Sequence, residues 1–111
     1  MKIISIRDLP EESVSHNPRI RKRCLLKAGE VGAVTQYARA VFPPGEQAGT
    51  HHHEDMTEIF TVESGNGEIR INEMSHRLAA GVTVVVEPGE KHAVFNPGPD
   101  ELVLLYFGVR T

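Results

Sequence analysis

Six histidines occur in this 111-residue chain, and three of them are consecutive. In an extended strand, residues i and i+2 point to the same face, so we expect His51 and His53 to converge while His52 points away. Glu58 opens the next strand-like run, and a short turn before it would bring its carboxylate back towards the two imidazoles. His92 lies in a second segment in which a turn precedes a strand. Three neutral imidazoles and one carboxylate suit a divalent first-row metal ion.

An ion bound by these four side chains would keep two further positions of an octahedral arrangement open to water, oxygen or substrate. We therefore expect one divalent ion per chain, and the donor types do not separate Fe, Mn, Ni, Cu and Zn. The alternative for the histidine run is surface decoration, because a cluster of loop histidines often binds nothing. The positions of Glu58 and His92, each beside a turn signal, favour the metal site.

Short strands are the elements that would position these residues. Gly and Pro divide the chain into short pieces rich in Val, Ile, Thr, Phe and Tyr, which predicts an all-β sandwich or small barrel. A tight hairpin is expected at Asn72-Glu73, and one helical turn within Asp8–Val14. The predicted strands are Lys2–Ile6, Ile20–Lys27, Ala33–Phe42, Glu58–Glu63, Glu68–Ile71, Met74–Leu78, Val82–Val86, Ala93–Phe95 and Leu102–Val109.

The chain resembles the cupin superfamily, in particular its small single-domain barrels, through two motifs. The first motif of that family is a Gly, five residues, His-x-His, three or four residues, a Glu, six residues and a Gly. Every spacing is satisfied here, at Gly45, His51, His53, Glu58 and Gly65.

The second cupin motif is a Gly, five residues, Pro-x-Gly, two residues, a His, three residues and an Asn. The proline is the one departure, since Glu87 stands at its position and Pro88 follows. The register of the histidine is kept. The matching residues are Gly81, Gly89, His92 and Asn96.

The resemblance implies an all-β cupin double-stranded β-helix, which is a jelly-roll barrel, over residues 31–111. Residues 1–30 would form an N-terminal extension whose strands pack on the barrel or on a dimer partner. It also implies that the metal lies inside the barrel and that its ligands are His51, His53, Glu58 and His92.

A homodimer is expected on two grounds. Small single-domain cupins usually dimerise, and Val82–Val86 and Leu102–Phe107 are apolar on both faces. A half-exposed antiparallel strand should alternate between polar and apolar residues, so something covers the outer faces of these two strands. The alternative cover is the N-terminal strands.

Alternation along the strands also predicts the lining of a mostly apolar pocket. Arg39 would bind a substrate carboxylate if it points inward and is a surface charge otherwise. Gln47 either reaches the outer shell of the metal or is a solvated loop residue, and Asn96 is expected mainly to hold the barrel mouth by hydrogen bonds. The pocket candidates are Arg39, Gln47, Phe60, Val62, Val94, Asn96 and Tyr106.

The composition excludes several classes of protein. Hydrophobic residues make up 40% and charged residues 24%, as in one ordinary globular domain. The net charge of −3 argues against nucleic-acid binding, and the basic run at residues 19–23 is interpreted as a solvent-facing edge. No apolar run approaches the roughly 18 residues of a membrane span. Cys24, the single cysteine, predicts a reducing, cytoplasmic location without disulfides.

Three functional hypotheses follow from the site. The first is a metal-dependent dioxygenase or related oxidoreductase that acts on a small organic substrate, since the inward positions beside Glu58 and His92 offer no further acid or base. The second is a metal-dependent isomerase or lyase of a small sugar or keto acid. The third is a non-enzymatic module that binds a small ligand. The catalytic residues are not identified by the sequence.

Overall fold

Ten strands and one short 3-10 turn form the regular structure of the computed structural model, which describes residues 1–111. The turn covers Ile6–Asp8. The strands are β1 (Glu12–Val14), β2 (Asn17–Lys27), β3 (Val34–Phe42), β4 (Gln47–His51), β5 (Met56–Ser64), β6 (Asn66–Ile71), β7 (Met74–Ala79), β8 (Thr83–Val86), β9 (His92–Phe95) and β10 (Leu102–Arg110).

Two sheets pack against each other, and every strand pairing in them is antiparallel. The larger sheet has the strand order β1-β2-β3-β10-β5-β8, and the smaller has the order β4-β9-β6-β7. The predicted all-β architecture of two antiparallel sheets is therefore confirmed. No helix in the structure has the length and apolar character needed to cross a membrane.

The hydrophobic core lies between the two sheets and follows directly from strand alternation. Buried and more exposed residues alternate along much of the central strands, from Ala38 to Phe42 in β3, from Glu58 to Val62 in β5 and from Leu104 to Gly108 in β10. The four-stranded sheet closes the core from the other side with Ile69, Leu78 and Val94. The inner faces of the two sheets therefore define the space in which the site is built.

Gly65 connects β5 to β6 at a position where no other residue fits. Its φ is +90°, and a Cβ built there would lie 2.2 Å from the backbone oxygen of Glu101. An L side chain would be both strained and in collision. This close approach explains why the first motif ends on glycine.

The predicted hairpin at Asn72-Glu73 is confirmed. Asn72 has φ +45° and Glu73 has φ +74°, while Ile71 pairs with Met74. Two successive residues with positive φ in a two-residue loop are the signature of a type I′ turn, which matches the twist of the flanking strands.

Eight of the nine predicted strands are confirmed to within a few residues, and the exceptions lie at the N-terminus. The strand predicted at Lys2–Ile6 is wrong, since this segment is irregular and leads into the 3-10 turn. The helical turn predicted within Asp8–Val14 is misplaced, because the turn ends at Asp8 and strand β1 follows. Strands β1 and β4 are absent from the sequence prediction. β1 has only three residues, and β4 contains Gly49, a residue depleted in strands.

The outer face of β10 is not covered by the N-terminal strands. β1 and β2 extend the six-stranded sheet at its edge beyond β3, whereas β10 lies in the middle between β3 and β5. Leu105 and Phe107 remain half-buried on that face, and Val85 on β8, at the edge of the sheet beyond β5, is 55% exposed. The alternative cover expected from the sequence is therefore wrong for β10.

Candidate metal centre

Four side chains converge at one end of the space between the sheets. His51 ends β4, His92 begins β9, and these two residues pair across the four-stranded sheet. Glu58 reaches them from β5 in the opposite sheet, and His53 from the connection after β4. One ligand atom from each residue lies within 4.8 Å of the others. The structure therefore brings together the four predicted ligands, which we call the histidine-glutamate cluster.

The distances within the histidine-glutamate cluster fit one shared cation. Glu58 Oε1 lies 3.1 Å from Nε2 of His92, 3.3 Å from Nε2 of His53 and 3.9 Å from Nε2 of His51. Donors about 2.1 Å from one ion are about 3.0 Å apart at a right angle and about 4.2 Å apart when opposite. The donor set and its spacing therefore fit a site for a first-row metal ion.

Backbone carbonyls orient two of the imidazoles. His51 Nδ1 donates to the backbone oxygen of Gly49 at 2.9 Å, and His92 Nδ1 donates to that of Glu90 at 3.2 Å. With Nδ1 protonated and bonded, Nε2 is the nitrogen that turns towards a metal. Sequence reasoning missed these orienting groups, because a backbone carbonyl leaves no signal in residue type.

The cluster has a buried side and an open side. His92 and Glu58 are buried, at 2% and 6% exposure, while the side chains of His51 and His53 are 46% and 36% exposed. A buried carboxylate needs compensation by positive charge or hydrogen bonds. An ion bound among these four side chains would neutralise the charge of the buried Glu58. It would remain accessible to solvent on the side of His51 and His53.

His92 faces an acceptor at each ring nitrogen, Glu58 Oε1 on one side and the Glu90 carbonyl on the other. Burial lowers the pKa of His92, but these two hydrogen bonds and the charges of Glu58 and Glu90 outweigh it, so that its pKa is raised. The carboxylate oxygen that would share a cation with His92 is thus also the group that stabilises a proton on its Nε2.

His52 lies outside the cluster. Its side chain is 47% exposed, and its Nε2 is 3.5 Å from Glu54. β4 already ends at His51, so the convergence of His51 and His53 does not rest on regular strand geometry alone. The backbone oxygen of His53 accepts a hydrogen bond of 2.7 Å from Gly89. The second motif therefore fixes the segment that carries the first.

Aromatic rings line the wall beneath the cluster. The ring of Phe60 is 6.0 Å from that of His92 and stacks on Tyr106 at 5.6 Å. Val62 and Val94 are buried further along the same inner faces. Burial, reinforced by the charge of Glu58, raises the pKa of the Tyr106 phenol. Phe60, Tyr106 and the two valines are placed as predicted for a pocket, and their contact with a ligand stays a prediction.

Asn96 is fully buried and uses its hydrogen-bonding groups within the protein. Its Nδ2 donates to the backbone oxygens of Phe42 at 2.8 Å and Asp100 at 2.9 Å, and its Oδ1 accepts from Gly98 N at 2.9 Å. Both amide protons are thus taken up by backbone carbonyls of the barrel. Asn96 ties the barrel together, as the sequence suggests, and has no donor left for a ligand.

Two other predicted pocket residues lie outside the barrel. Arg39 stands between the buried Ala38 and Ala40 and therefore faces outward, where it makes a two-point pair with Glu63 at 3.0 and 2.7 Å. Gln47 is exposed in a shallow groove on the outer face of the four-stranded sheet. Arg39 therefore does not point into the pocket, and Gln47 does not reach the outer shell of the metal site.

Lys22 is a residue that sequence reasoning misplaced. It belongs to the run interpreted as a solvent-facing edge, yet it pairs with the buried Ala40 and so lies on the inner face of the six-stranded sheet. Its Nζ donates to Gln36 Oε1 at 3.0 Å. The signal was present in the sequence, since Ile20 and Cys24 flank Lys22 at two-residue spacing.

Comparison with known proteins agrees with this architecture. The model of the cupin domain family Cupin_2 matches residues 38–108, which is more than half of the chain. The oxalate-binding protein of Thermotoga maritima is 33% identical over 69 residues, which cover 62% of this chain and 57% of that protein. The chain therefore spans a little over half the length of this relative.

Solved structures extend the likeness to the whole chain. A protein of Thermotoga maritima described as a predicted oxalate decarboxylase superposes with a TM-score of 0.91 at 23% identity, over 99% of this chain and 100% of the other. A sugar phosphate isomerase of Silicibacter pomeroyi gives a TM-score of 0.84 at 16% identity, over 99% and 76%. At such identities the likeness shows the fold alone. Together with the family match and the histidine-glutamate cluster, it establishes that the chain belongs to the cupin family.

Proposed function

We propose that this cupin binds one divalent metal ion per chain through His51, His53, Glu58 and His92, and that the ion holds a small carboxylate ligand. The observation that carries the proposal is the convergence of these four donors within 4.8 Å. Three neutral imidazoles and one carboxylate leave a divalent ion with a net charge of about +1, so its open positions favour an anion. The name of the oxalate-binding relative supports a carboxylate as that anion.

The experiment uses untagged protein purified without a nickel column. Elemental analysis and reconstitution with Mn, Fe, Ni, Cu and Zn measure which ion binds, and calorimetry then measures oxalate binding to the loaded and the metal-free protein. We expect near-stoichiometric metal and oxalate binding that requires it. Equal oxalate binding without metal would overturn the proposal, and acetate serves as the matched ligand that cannot chelate through two carboxylates.

Turnover is a finer proposal that depends on the same ion. Dioxygenase activity and isomerase or lyase activity both stay predictions from the sequence. The donor set is compatible with oxygen chemistry, which the metal would supply, but no contact of the structure favours it over binding alone. Oxygen uptake on the loaded sample and isomer conversion under argon separate these activities from simple ligand binding.

We also propose a homodimer that uses the outer face of the six-stranded sheet. Leu105 and Phe107 on β10 are half-buried there, and Val85 on β8 is exposed. A second copy with the same face would cover this apolar surface by a two-fold axis. Sizing at low micromolar concentration should then give about twice the chain mass of 12.3 kDa, and a monomer at that concentration would contradict it.

A further inference from the structure

The inner face of the six-stranded sheet carries a second polar group near the histidine-glutamate cluster. Gln36 on β3, Gly108 on β10 and Glu58 on β5 form one cross-strand row. Neighbouring strands are about 4.8 Å apart, so the backbones of Gln36 and Glu58 are about 10 Å apart across that row. Lys22 joins Gln36 through the 3.0 Å hydrogen bond from Nζ. Lys22 itself pairs with Ala40, two inward-facing rows away from the row of Glu58, so the bond to Gln36 shows that its side chain runs along the inner face towards the cluster.

Lys22 makes no salt bridge in the protein, although the carboxylate of Glu12 lies on the same face and is near enough to raise the pKa of Tyr106. The partner of its Nζ is an uncharged amide oxygen, and Glu12, which stands opposite Lys22 on β1, makes no ion pair with it. The side chain is half-buried. A partly desolvated ammonium group with two free protons favours an anionic partner.

Tyr106 offers a second unused donor in the next row. This row contains Cys24 on β2, Ala38 on β3, Tyr106 on β10 and Phe60 on β5. Tyr106 is only 9% exposed, yet its hydroxyl makes no hydrogen bond to the protein. No fully buried polar side-chain atom lacks a partner, so this hydroxyl opens onto space that water or a ligand can reach.

The remaining polar groups nearby are already occupied. Thr35 lies over Gly108 and donates to the sulfur of Met56 at 3.3 Å, and Cys24 donates to the backbone oxygen of Leu26. Lys22 and Tyr106 are therefore inward-facing residues that still have hydrogen-bond donors free for a ligand. Both face the interior from the same sheet as Glu58, opposite the four-stranded sheet.

We propose that Lys22 and Tyr106 form a second anion subsite, which accepts the distal carboxylate of a ligand whose other end is bound at the histidine-glutamate cluster. The inference rests on the proposed function and narrows its ligand class. Oxalate has no group that extends beyond the metal by several ångströms. The favoured ligand is instead a dicarboxylate with at least two carbons between its carboxyl groups.

The test compares oxalate, malonate, succinate and glutarate on the metal-loaded protein by calorimetry, for wild type, Lys22→Met and Tyr106→Phe. Methionine keeps most of the lysine stem, and phenylalanine keeps the stack on Phe60, so both variants remove mainly the donor. We expect Lys22→Met to weaken succinate or glutarate at least about tenfold and Tyr106→Phe about threefold to tenfold. Oxalate affinity and metal content should change less than about twofold.

Two controls keep the outcomes distinct. Arg39→Met removes a cation from the outer face of the same sheet and should leave all four affinities unchanged. If oxalate binds but the longer ligands are insensitive to Lys22→Met, or bind no better than acetate, the subsite is wrong and the proposed function stands. If the loaded protein binds no carboxylate at all, both proposals fail.

Discussion

The two faces of the six-stranded sheet carry their cations in different states. On the outer face, Arg39 is neutralised by the two-point pair with Glu63. On the inner face, Lys22 has only the amide of Gln36. The sequence shows both as basic residues in apolar strands, and only the pairing tells them apart. A side-chain charge that is paired within the protein stabilises the fold, whereas a charge without an ion pair can bind an anionic ligand.

The polar residues in the space between the two sheets divide in the same way. Asn96 has both amide protons bound to backbone oxygens, while the Tyr106 hydroxyl has no protein partner. The histidine-glutamate cluster combines both situations. The Nδ1 atoms of His51 and His92 are bonded to backbone oxygens of Gly49 and Glu90, while the Nε2 atoms point towards the other members of the cluster. Variants at the two faces can therefore separate residues that hold the barrel from residues that hold a ligand.

The largest effect is expected from the buried ligands of the cluster. On the closed side, where water cannot easily replace a ligand, Glu58→Gln exchanges the carboxylate for a neutral amide and His92→Ala removes the imidazole. Each should weaken metal binding at least about 100-fold. His52→Ala is the matched control, because His52 lies outside the cluster. Elemental analysis after dialysis is the measurement. Equal metal loss from His52→Ala would refute the assignment of the ligands.

Much of this cluster is visible in the sequence, for a physical reason. Metal ligation requires particular residue types at particular spacings, and both can be read from the two motifs. What the sequence does not state is the path of the chain between them. β4 ends at His51, and His53 is positioned by the hydrogen bond from Gly89, a contact between segments distant in the chain that depends on tertiary structure.

The errors have the same origin. Lys22 and Arg39 occupy similar apolar–basic alternations, and which face is inner depends on the register between β2 and β3. The β-branched residues of Lys2–Ile6 predict an N-terminal strand, but these residues have no neighbouring strand to pair with. The fold class could thus be predicted from local patterns, whereas the assignment of single charged residues to a face could not.

Asn96→Ala tests the residues that hold the barrel together. It removes the buried hydrogen bond to the Phe42 carbonyl and the two part-buried bonds to Asp100 O and from Gly98 N, which should lower the free energy of unfolding by about 2–4 kcal/mol. Urea unfolding is the measurement. Asn66→Ala is the control, since Asn66 is exposed and its side chain accepts only from Arg77, and it should change stability by less than about 0.5 kcal/mol. A soluble, equally stable Asn96→Ala protein would contradict the role given to Asn96.

Leu105→Lys tests the outer face. A charge in the centre of the proposed dimer interface should shift the protein to a monomer at micromolar concentration, because an unpaired charge is costly to desolvate. Analytical ultracentrifugation measures the mass, and metal content should stay at the wild-type level, since Leu105 faces away from the cluster. Thr61→Lys on the same face tests how far the interface extends. An unchanged dimer in Leu105→Lys would place the interface elsewhere.

The smallest effect concerns the pair on the outer face and its dependence on pH. The hydrogen bonds from Arg39 hold the pKa of Glu63 below its ordinary value. A carboxyl group with a lower pKa in the folded than in the unfolded protein stabilises the fold above the unfolded pKa of about 4.3, and this contribution is lost as the pH falls through the folded value. Because the side chains of Arg39 and Glu63 are 33% and 41% exposed, solvent screening keeps it below about 1 kcal/mol.

Arg39→Met in a Leu105→Gln background, studied at a concentration at which that protein is monomeric, isolates this contribution, because the pair is then exposed to solvent and no charge is added opposite Arg39. Its cost in free energy of unfolding should be measurable by urea titration at about pH 7 and vanish once the pH is well below the folded pKa of Glu63. Glu63→Gln should give the same loss near neutral pH, and the double variant no further loss, since the two side chains act as one pair. A cost that persists unchanged at low pH would mean that Arg39 stabilises the sheet through the packing of its aliphatic stem rather than through its charge.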